Sequence, residues 1–416
     1  MSKTRSLVIK HATQLATSAG SRARRGPEMA QLRVIADAAV AIRDGTIAFV
    51  GATTDLPKEF DEAESIDAAG KTIVPGFVDS HTHTIFAGDR TGEFEQRLQG
   101  RSYQEITAAG GGINATVEPV RRAAKSTLAA LARRRLDQML AFGVTTVEVK
   151  SGYGLTMAEE LKCLEVIADL NEAGPQDLVP TFLGAHVVPK EFADNRDGYI
   201  RSVIDQMLPE VARSRLARFC DVFCETGVFS IEESERILGR ARELGLGLKL
   251  HADELTTLGG AELAARLGAV SADHLLCISD EGIDALARSH TVATLLPGTA
   301  FFLGMPYAPA RRLIERGAAV ALASDCNPGT CPTENLPLVG AIACAQMRML
   351  PAEALTAMTL NAAAALGVAD RLGSLGPGKQ ADLVICAVPD YRHLFYHFGV
   401  NHVWRVVKRG RVVFAA

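Results

Sequence analysis

Short apolar runs alternate with longer amphipathic stretches from about residue 74 to the carboxyl-terminal region of the chain. The runs are typical of buried strands, and the stretches between them carry apolar residues at the three- and four-residue spacing of helices. We predict strands at residues 73–80, 144–150, 178–185, 219–225, 247–252, 269–273, 291–296 and 319–324. Eight strand-helix units in succession predict an α/β fold, the (β/α)8 TIM-type barrel.

The two ends of the chain follow a different pattern, in which alternating segments are separated by turn residues such as Asp44-Gly45 and Gly376-Pro377-Gly378. Because unpaired strands leave exposed edges, we expect both ends to combine in one small β-sandwich domain. The predicted domains are therefore 1–70 plus 377–416 for the sandwich and 71–376 for the barrel. The first 27 residues contain six basic and no acidic residues, so a transit peptide is the alternative for this segment.

The composition of the chain excludes several classes of binding partner. The 416 residues include 44 Lys and Arg against 48 Asp and Glu, so charge gives no reason to expect nucleic acid or an anionic membrane as partner. No apolar run approaches the roughly 18 residues of a membrane span. The eight cysteines are scattered, which favours reduced thiols in a cytoplasmic protein, and the Cys220–Cys224 spacing does not suit a structural zinc site. A small-molecule substrate is the expected partner.

Two histidines stand one residue apart after the first apolar run, at His81 and His83. Alternate residues of a strand share a face, so both imidazoles would project from one strand end and can hold one cation. The alternative is a solvated strand end or a hydrogen-bonded core pair. The pattern recurs, however, because later apolar runs also end in potential ligands, at His186, His251, His274 and Asp325.

The carboxyl ends of barrel strands meet around the barrel axis, where barrel enzymes place their chemistry. Nitrogen and carboxylate donors without cysteine suit zinc or iron, which lower the pKa of a bound water toward neutrality. We predict one divalent metal, zinc or iron, held by His81, His83, His251 and Asp325. The alternatives are a core histidine at 251 and a loop-capping acid at 325.

Three further groups stand near this predicted metal site. Glu254 follows His251 by three residues, and a carboxylate there can pass a proton from water to a nitrogen leaving group, unless it serves a helix N-terminus. His274 is either a ligand or a group that stabilises an oxyanion. Lys150 ends the second strand, which is the wrong place for a carboxylated lysine that bridges two metals. The fourth strand ends in Glu225 and not in lysine, so one metal is favoured.

Together these residues resemble the amidohydrolase superfamily, whose barrels carry His-x-His after strand one, histidines after strands five and six, and aspartate after strand eight. Finer motifs resemble one branch of it, whose members open the ring of 4-imidazolone-5-propanoate to N-formimidoyl-L-glutamate in histidine degradation. The resemblance covers about residue 35 to the end, and the role of residues 11–30 stays open. The motifs are His81-Thr82-His83, Phe86-Ala87-Gly88-Asp89-Arg90, Ala108-Ala109-Gly110-Gly111-Gly112-Ile113, Glu148-Val149-Lys150-Ser151-Gly152-Tyr153-Gly154-Leu155, Gly184-Ala185-His186-Val187-Val188-Pro189, His251-Ala252-Asp253-Glu254 and Ser324-Asp325-Cys326-Asn327-Pro328-Gly329-Thr330.

The resemblance implies a set of substrate contacts and a homodimer. Carried over position by position, the contacts fall on Arg90, Tyr153, His186, Glu254, Asn327, Gly329 and Thr330. A propanoate is best bound by a guanidinium, which Arg90 can supply. The alternative for Arg90 is a surface arginine paired with Asp89. Tyr153 and His186 offer hydrogen-bond donors, although a tyrosine between glycines can be a mobile loop aromatic.

The predicted reaction is hydrolysis of a cyclic amide C–N bond by a metal-activated water. Glu254 or Asp325 takes the proton of that water and returns it to the ring nitrogen, while His274 stabilises the oxyanion. The nearest alternative is a zinc-dependent deaminase of a heterocyclic amine, which uses the same histidine-to-glutamate spacing. A non-catalytic scaffold on the same fold would have lost ligands, and every expected ligand is present.

Overall fold

Two eight-stranded sheets dominate the computed structural model, which describes residues 6–102, 105–106 and 109–416. Residues 1–5 of the predicted sandwich and Ala108 of the glycine-rich motif lie outside the described residues. The strands are β1 Ser6–Thr17, β2 Arg33–Arg43, β3 Thr46–Ala52, β4 Glu64–Asp67, β5 Thr72–Pro75, β6 Phe77–Asp79, β7 Val144–Lys150, β8 Asp177–Ala185, β9 Phe219–Cys224, β10 Gly247–Ala252, β11 Ser271–His274, β12 Val292–Leu295, β13 Val320–Leu322, β14 Leu383–Cys386, β15 Val403–Lys408 and β16 Arg411–Ala415.

The larger sheet contains β6 to β13, each parallel to the next in chain order. It closes just beyond its first and last strands. There the Asp325 N–H donates to the His81 carbonyl at 3.0 Å, and the His83 N–H donates to the Cys326 carbonyl at 2.9 Å. The predicted TIM-type barrel is confirmed, and its closure places the segments after β6 and β13 side by side.

Helices surround the barrel, and their starts follow local signals in the sequence. Ser230 and Glu233 form a capping box before the helix that starts at Ile231, and the Thr156 hydroxyl accepts the Glu159 N–H before the helix that starts at Met157. The α-helices are Thr91–Leu98, Ile113–Arg122, Lys125–Ala141, Met157–Ala173, Arg196–Ser202, Leu208–Ser214, Ile231–Glu243, Gly260–Leu267, Asp280–Arg288, Pro297–Leu303, Ala310–Glu315, Leu336–Met347, Pro351–Ala357, Leu360–Ala364 and His393–Tyr396. A π-helical turn spans Val203–Met207, and 3-10 turns span Gly26–Ala30, Thr53–Asp55, Lys58–Phe60 and Lys190–Phe192.

The smaller sheet is built from both ends of the chain, in the order β16-β15-β14-β5-β1-β2-β3, with β4 also paired to β1. β1 pairs with β4 at Leu7–Lys10 and with β5 at Gln14 and Leu15, and its pairing with β2 is irregular between Ile9 and Ala12. The long strand β1 thus pairs with β4 near its start and with β5 near its end. The predicted β-sandwich from both termini is confirmed, and Ser6–Thr17 belongs to its sheet.

The sequence predicts one strand at 73–80, and this prediction is wrong. The chain instead forms β5, which pairs with β14 in the small sheet, and β6, which pairs with β7 in the barrel. Gly76 lies between them, and a Cβ at this position would lie 2.4 Å from the Thr145 hydroxyl oxygen. A side chain at this position would therefore clash with Thr145 where the chain crosses from the smaller sheet to the barrel. The division into domains 1–70 plus 377–416 and 71–376 stays a prediction.

Six of the eight cysteines are buried, as expected of small core residues, and reduced thiols stay a prediction. Among the described residues, no helix is both long enough and apolar enough to cross a lipid bilayer.

Candidate active site

The four predicted metal ligands meet at the carboxyl ends of the barrel strands. His81 and His83 follow β6, His251 lies in β10, and Asp325 follows β13 in a left-handed conformation with φ +55°. All four side chains are buried. The closure hydrogen bonds between the segments after β6 and β13 bring Asp325 beside the two histidines.

Four of the six distances between the donor atoms of these side chains suit a tetrahedral metal. His83 Nε2 lies 3.3 Å from His81 Nε2 and 3.4 Å from His251 Nε2, and Asp325 Oδ1 lies 3.5 Å from Nε2 of both His81 and His83. Donor atoms about 2.0–2.1 Å from a tetrahedral zinc are about 3.3 Å apart. Two groups of three, His81 with His83 and His251, and His81 with His274 and Asp325, are compact enough to hold one ion.

Two aspartates that the sequence analysis missed contact the outer nitrogens of the histidines. Asp273 Oδ2 lies 2.7 Å from His81 Nδ1, and Asp221 Oδ2 lies 3.0 Å from His251 Nδ1. A carboxylate at Nδ1 fixes the tautomer that turns the Nε2 lone pair toward the cluster. Burial by itself would raise the pKa of Asp221, but its interactions with His251 and Lys150 hold it well below its usual value. The only signal in the sequence was an acidic residue inside each apolar strand.

Lys150 lies beneath the ligands and is paired with carboxylates. Its Nζ is 2.6 Å from Glu148 Oε1 and 2.7 Å from Asp221 Oδ2. Burial opposes the charged ammonium, yet the neighbouring carboxylates raise the pKa of Lys150 above its usual value. Lys150 therefore acts in this structure as the counter-ion of the acids that orient the histidines.

Glu254 and His274 face each other at the edge of the cluster, with Glu254 Oε2 at 3.6 Å from His274 Nε2. Burial and the negative charges of Asp325 and Glu225 raise the pKa of Glu254 well above its usual value. The alternative of a helix N-terminal acid is wrong, because the next helix begins at Gly260. Its neighbour Asp253 performs that role, since Asp253 Oδ1 accepts the N–H groups of Leu258, Gly259 and Gly260 at 2.9–3.1 Å.

Asp325 is held through both of its oxygens. Oδ1 faces the histidines, and Oδ2 accepts the Thr299 hydroxyl at 2.6 Å. Burial raises the pKa of Asp325 to about 6, although Thr299 and His251 act in the opposite direction. A loop-capping role alone does not account for this carboxylate, because its two oxygens contact His81, His83 and Thr299.

Arg90, Tyr153 and His186 surround the same space from the other side. Arg90 is buried, and its Nε and Nη2 lie 2.9 and 2.8 Å from Glu93 Oε2, which contradicts the alternative of a surface arginine. Tyr153 is only 2% exposed, and its ring centroid is 5.3 Å from that of His186. The His186 ring is stacked on His83 with centroids 5.1 Å apart. Burial and the neighbouring His251 lower the pKa of His186 to about 3.

The loop after Asp325 is held by its own asparagine. Asn327 Oδ1 accepts the N–H groups of Gly329 and Thr330 at 2.8 and 2.7 Å, and Asn327 Nδ2 donates to the Asp325 carbonyl at 2.7 Å. Gly329 packs directly on Arg90, since a Cβ at this position would lie 1.9 Å from Nη1 of that arginine. Asn327 and Gly329, predicted as substrate contacts, thus also shape the loop and make room for Arg90.

One cavity contains most of the predicted site. Its lining residues are His83, Arg90, Ile113, Tyr153, His186, Phe223, His251, Glu254, Leu255, His274, Asp325, Asn327 and Thr330. His81 lies behind this surface and Gly329 beneath Arg90. The structure therefore gathers every predicted site residue in one place, while their individual roles stay predictions. Ile113, Phe223 and Leu255 are apolar lining residues that the sequence analysis did not assign to the site, although Ile113 ends one of the quoted motifs.

Comparison with known proteins identifies the class to which this fold and site belong. The chain belongs to the amidohydrolase family, whose model matches residues 72–413. Its curated relatives include imidazolonepropionases from Geobacillus sp. (strain WCH70), 52% identical over 98% of both chains, and from Parabacteroides distasonis, 51% identical over 98% of both chains. Within the amidohydrolases, the chain is thus a member of the imidazolonepropionase family.

Solved structures share the fold at much lower sequence identity. An adenosine deaminase from Xanthomonas campestris with bound zinc superposes with a TM-score of 0.71 at 20% identity, covering 98% of this chain and 93% of that one. Guanine deaminase from E. coli superposes with a TM-score of 0.70 at 17% identity, covering 99% of both chains. The family and the His/Asp cluster together indicate a divalent metal in this protein.

Proposed function

We propose that this protein hydrolyses the ring of 4-imidazolone-5-propanoate to N-formimidoyl-L-glutamate. The observation that carries the proposal is one cavity in which a cluster of metal-ligating side chains faces a buried arginine, with His83, Asp325 and Arg90 all in its lining. Hydrolysis of a cyclic amide needs an activated water at one end of such a cavity. The charged side chain of the substrate needs a cation at the other end.

We propose that one divalent metal, zinc or iron, is held by His81, His83, His251 and Asp325. The fit rests on His83 Nε2, which lies 3.3 and 3.4 Å from Nε2 of His81 and His251, and on Asp325 Oδ1, which lies 3.5 Å from Nε2 of His81 and His83. When bound, such a metal supplies Lewis acidity, which lowers the pKa of water and polarises a carbonyl group. Asp273 and Asp221 would orient the two histidines that they contact.

Arg90 is proposed to bind the propanoate. Its guanidinium can form charge-assisted hydrogen bonds to a carboxylate, which are stronger than neutral ones and stronger still in a buried site. Glu93 holds the Nε and Nη2 side of the guanidinium, and Gly329 lies against Nη1. The side chain is therefore fixed before substrate arrives, which lowers the entropy cost of binding. Tyr153, His186, Asn327 and Thr330 complete the proposed substrate contacts.

Glu254 is proposed to move the proton. It takes a proton from the attacking water and gives it to the ring nitrogen as the C–N bond breaks. A carboxyl group whose pKa is raised by burial suits both steps, and Glu254 lines the cavity. Asp325, the other candidate, has Oδ2 bonded to Thr299 and Oδ1 turned to the histidines. We therefore favour Glu254 as the proton carrier and His274 as the donor that stabilises the oxyanion.

The decisive experiment pairs metal analysis with an ultraviolet assay for loss of 4-imidazolone-5-propanoate. We expect about one metal per chain, identified as zinc or iron, and turnover that stops when the metal is removed by a chelator. Glu254→Gln should keep the metal and lose about 10²–10⁴-fold in kcat. Release of ammonia from heterocyclic amines, without consumption of the imidazolone, would instead support the deaminase alternative.

We further propose a cytoplasmic homodimer that acts on a small molecule and binds neither nucleic acid nor membranes. The net charge of −4 supports the absence of a polyanionic partner. Sedimentation of the metal-loaded protein should give twice the mass of the 44.3 kDa chain. A monomer at the concentration used in the assay would refute the dimer without touching the proposed reaction.

A further inference from the structure

Glu160 is a buried carboxylate that the reaction described above does not use. It lies in the first turns of helix Met157–Ala173 and is completely shielded from solvent. Its Oε1 accepts the N–H groups of Gly154 and Leu155, both at 2.8 Å, and its two oxygens lie 3.1 and 3.0 Å from the Gly152 N–H. The loop 151–155 thus wraps around one side-chain anion.

The sequence of this loop makes the wrapping possible. Successive backbone N–H groups converge on an anion only when some residues take left-handed conformations, as Gly152 does with φ +103° and Leu155 with φ +56°. At Gly154 a Cβ would lie 2.5 Å from the Glu159 carbonyl carbon, so that only glycine allows the loop to approach the helix so closely. The two glycines of loop 151–155 therefore allow its N–H groups to reach the carboxylate of Glu160.

Two side chains of the cavity depend on the same loop. Tyr153 lies between the two glycines whose N–H groups Glu160 accepts, and it is buried in the cavity lining. The carbonyl of Gly152 is 2.9 Å from His186 Nδ1. A carbonyl only accepts, so His186 must donate from Nδ1, which directs Nε2 away from the loop. One residue, Gly152, thus joins Glu160 to the ring orientation of His186, because its N–H is held by Glu160 and its carbonyl accepts from His186.

We propose that Glu160 is a positioning residue, which sets Tyr153 and the tautomer of His186 through loop 151–155. The proposal rests on the proposed function only in assigning Tyr153 and His186 to the substrate. Glu160 itself does not line the cavity. Its effect on the reaction is therefore indirect and passes through the two residues that do.

Glu160→Gln separates this role from packing, because the two side chains have almost the same shape. The glutamine oxygen can still accept from Gly154 and Leu155, but its amide then sets a donor against the Gly152 N–H. Glu159→Gln is the matched control, since Glu159 is the adjacent acid of the same helix and forms an ion pair with Lys162. We expect Glu160→Gln to raise KM about 10-fold or more with little loss of bound metal, and Glu159→Gln to leave both unchanged.

A double-mutant cycle tests the route of the effect. If Glu160 acts through Tyr153 and His186, the change in kcat/KM from Glu160→Gln should shrink several-fold in a Tyr153→Phe/His186→Gln background. An equal change in both backgrounds would overturn the proposal, because it would show that Glu160 acts independently of the two contacts.

A spectroscopic measurement decides the question without substrate. In metal-loaded protein labelled with ¹⁵N-histidine, the His186 signal, assigned with His186→Gln, should show one tautomer protonated at Nδ1. Glu160→Gln should mix the tautomers, and an unchanged signal would refute the positioning role even if the wild-type protein failed to hydrolyse the imidazolone. If Glu160→Gln does not fold, Gly154→Ala disturbs the loop with Glu160 intact and should give the same change.

Discussion

The two sides of the cavity are built by different means. On the metal side, His81, His251 and Asp325 lie in or shortly after barrel strands, and side chains from other barrel strands, such as Asp273 of β11, fix their orientation. On the substrate side, the cavity is lined from loops whose backbone is organised by single polar side chains. Asn327 accepts two N–H groups of its own loop, and Glu160 accepts three N–H groups of loop 151–155.

This difference predicts which property is altered by substitutions on each side of the cavity. Barrel strands are tied on both edges by parallel neighbours, so a lost side-chain contact there leaves the backbone in place. A loop held by one carboxylate or amide has no such second support. We therefore expect substitutions on the metal side to alter metal binding, and substitutions on the substrate side to alter KM while the metal stays.

The largest effect is expected at His251. His251→Ala removes one of the four converging donors and leaves the cluster incomplete, so the protein should lose its metal and at least about 10³-fold of its turnover. Metal content and the ultraviolet assay measure the two losses. His290→Ala, at an exposed histidine, is the control. Full activity in the His251 variant would disprove the ligand assignment.

Removal of Arg90 tests the opposite side. Arg90→Ala deletes the proposed partner of the propanoate, and KM should rise about 10- to 100-fold because a charge-assisted hydrogen bond is lost. The metal content should match that of the unaltered protein. Arg122→Ala, which breaks an exposed ion pair with Glu118, should leave KM unchanged. Loss of metal in the Arg90 variant would contradict the separation of the two sides.

Asp273→Asn tests how the metal side is held. The neutral amide no longer fixes the His81 tautomer as a carboxylate does, so metal affinity should fall about 10- to 100-fold. Competition with a chelator measures the dissociation constant. An identical constant in the variant would show that His81 does not depend on Asp273, and Asp280→Asn at an exposed helix start provides the baseline.

The smallest effect is expected from Gly329→Ala. The added methyl would lie 1.9 Å from Arg90 Nη1, so the guanidinium must shift, and KM should rise about 3- to 10-fold with kcat nearly unchanged. Gly239→Ala is the matched control, because no atom lies within 4 Å of a Cβ at that helical position. If both alanine variants behave alike, Gly329 does not support Arg90.

The ligand cluster was predictable because each candidate stands at the end of an apolar run. Once eight such runs indicated a barrel, geometry alone brought His81, His251 and Asp325 to one place. The acid at 273 was not predictable in the same way. Its carboxylate contacts a histidine that is 192 residues away in sequence, and nothing local distinguishes an acid that orients a ligand from one that faces a neutral partner.

Most of the substrate side was predicted from family resemblance, whereas only His186 and Glu254 were also indicated by residue pattern. The pattern Ser151-Gly152-Tyr153-Gly154-Leu155 reads locally as a flexible segment, and only the anion supplied by the following helix explains its order. The single predicted strand at 73–80 failed for a related reason. Apolar content reports burial, but it does not report that one run enters two different sheets on either side of Gly76.

The pairing of β5 with β14 has a consequence for how the molecule is made. These strands lie about 300 residues apart along the chain, so β5 reaches its partner only after almost the whole polypeptide has left the ribosome. Only one residue separates β5 from β6. The first strand of the barrel is therefore connected to an incomplete sheet until β14 has been synthesised. Truncation of the last strands should therefore trap nascent chains in an aggregation-prone form, although every catalytic side chain has already been translated.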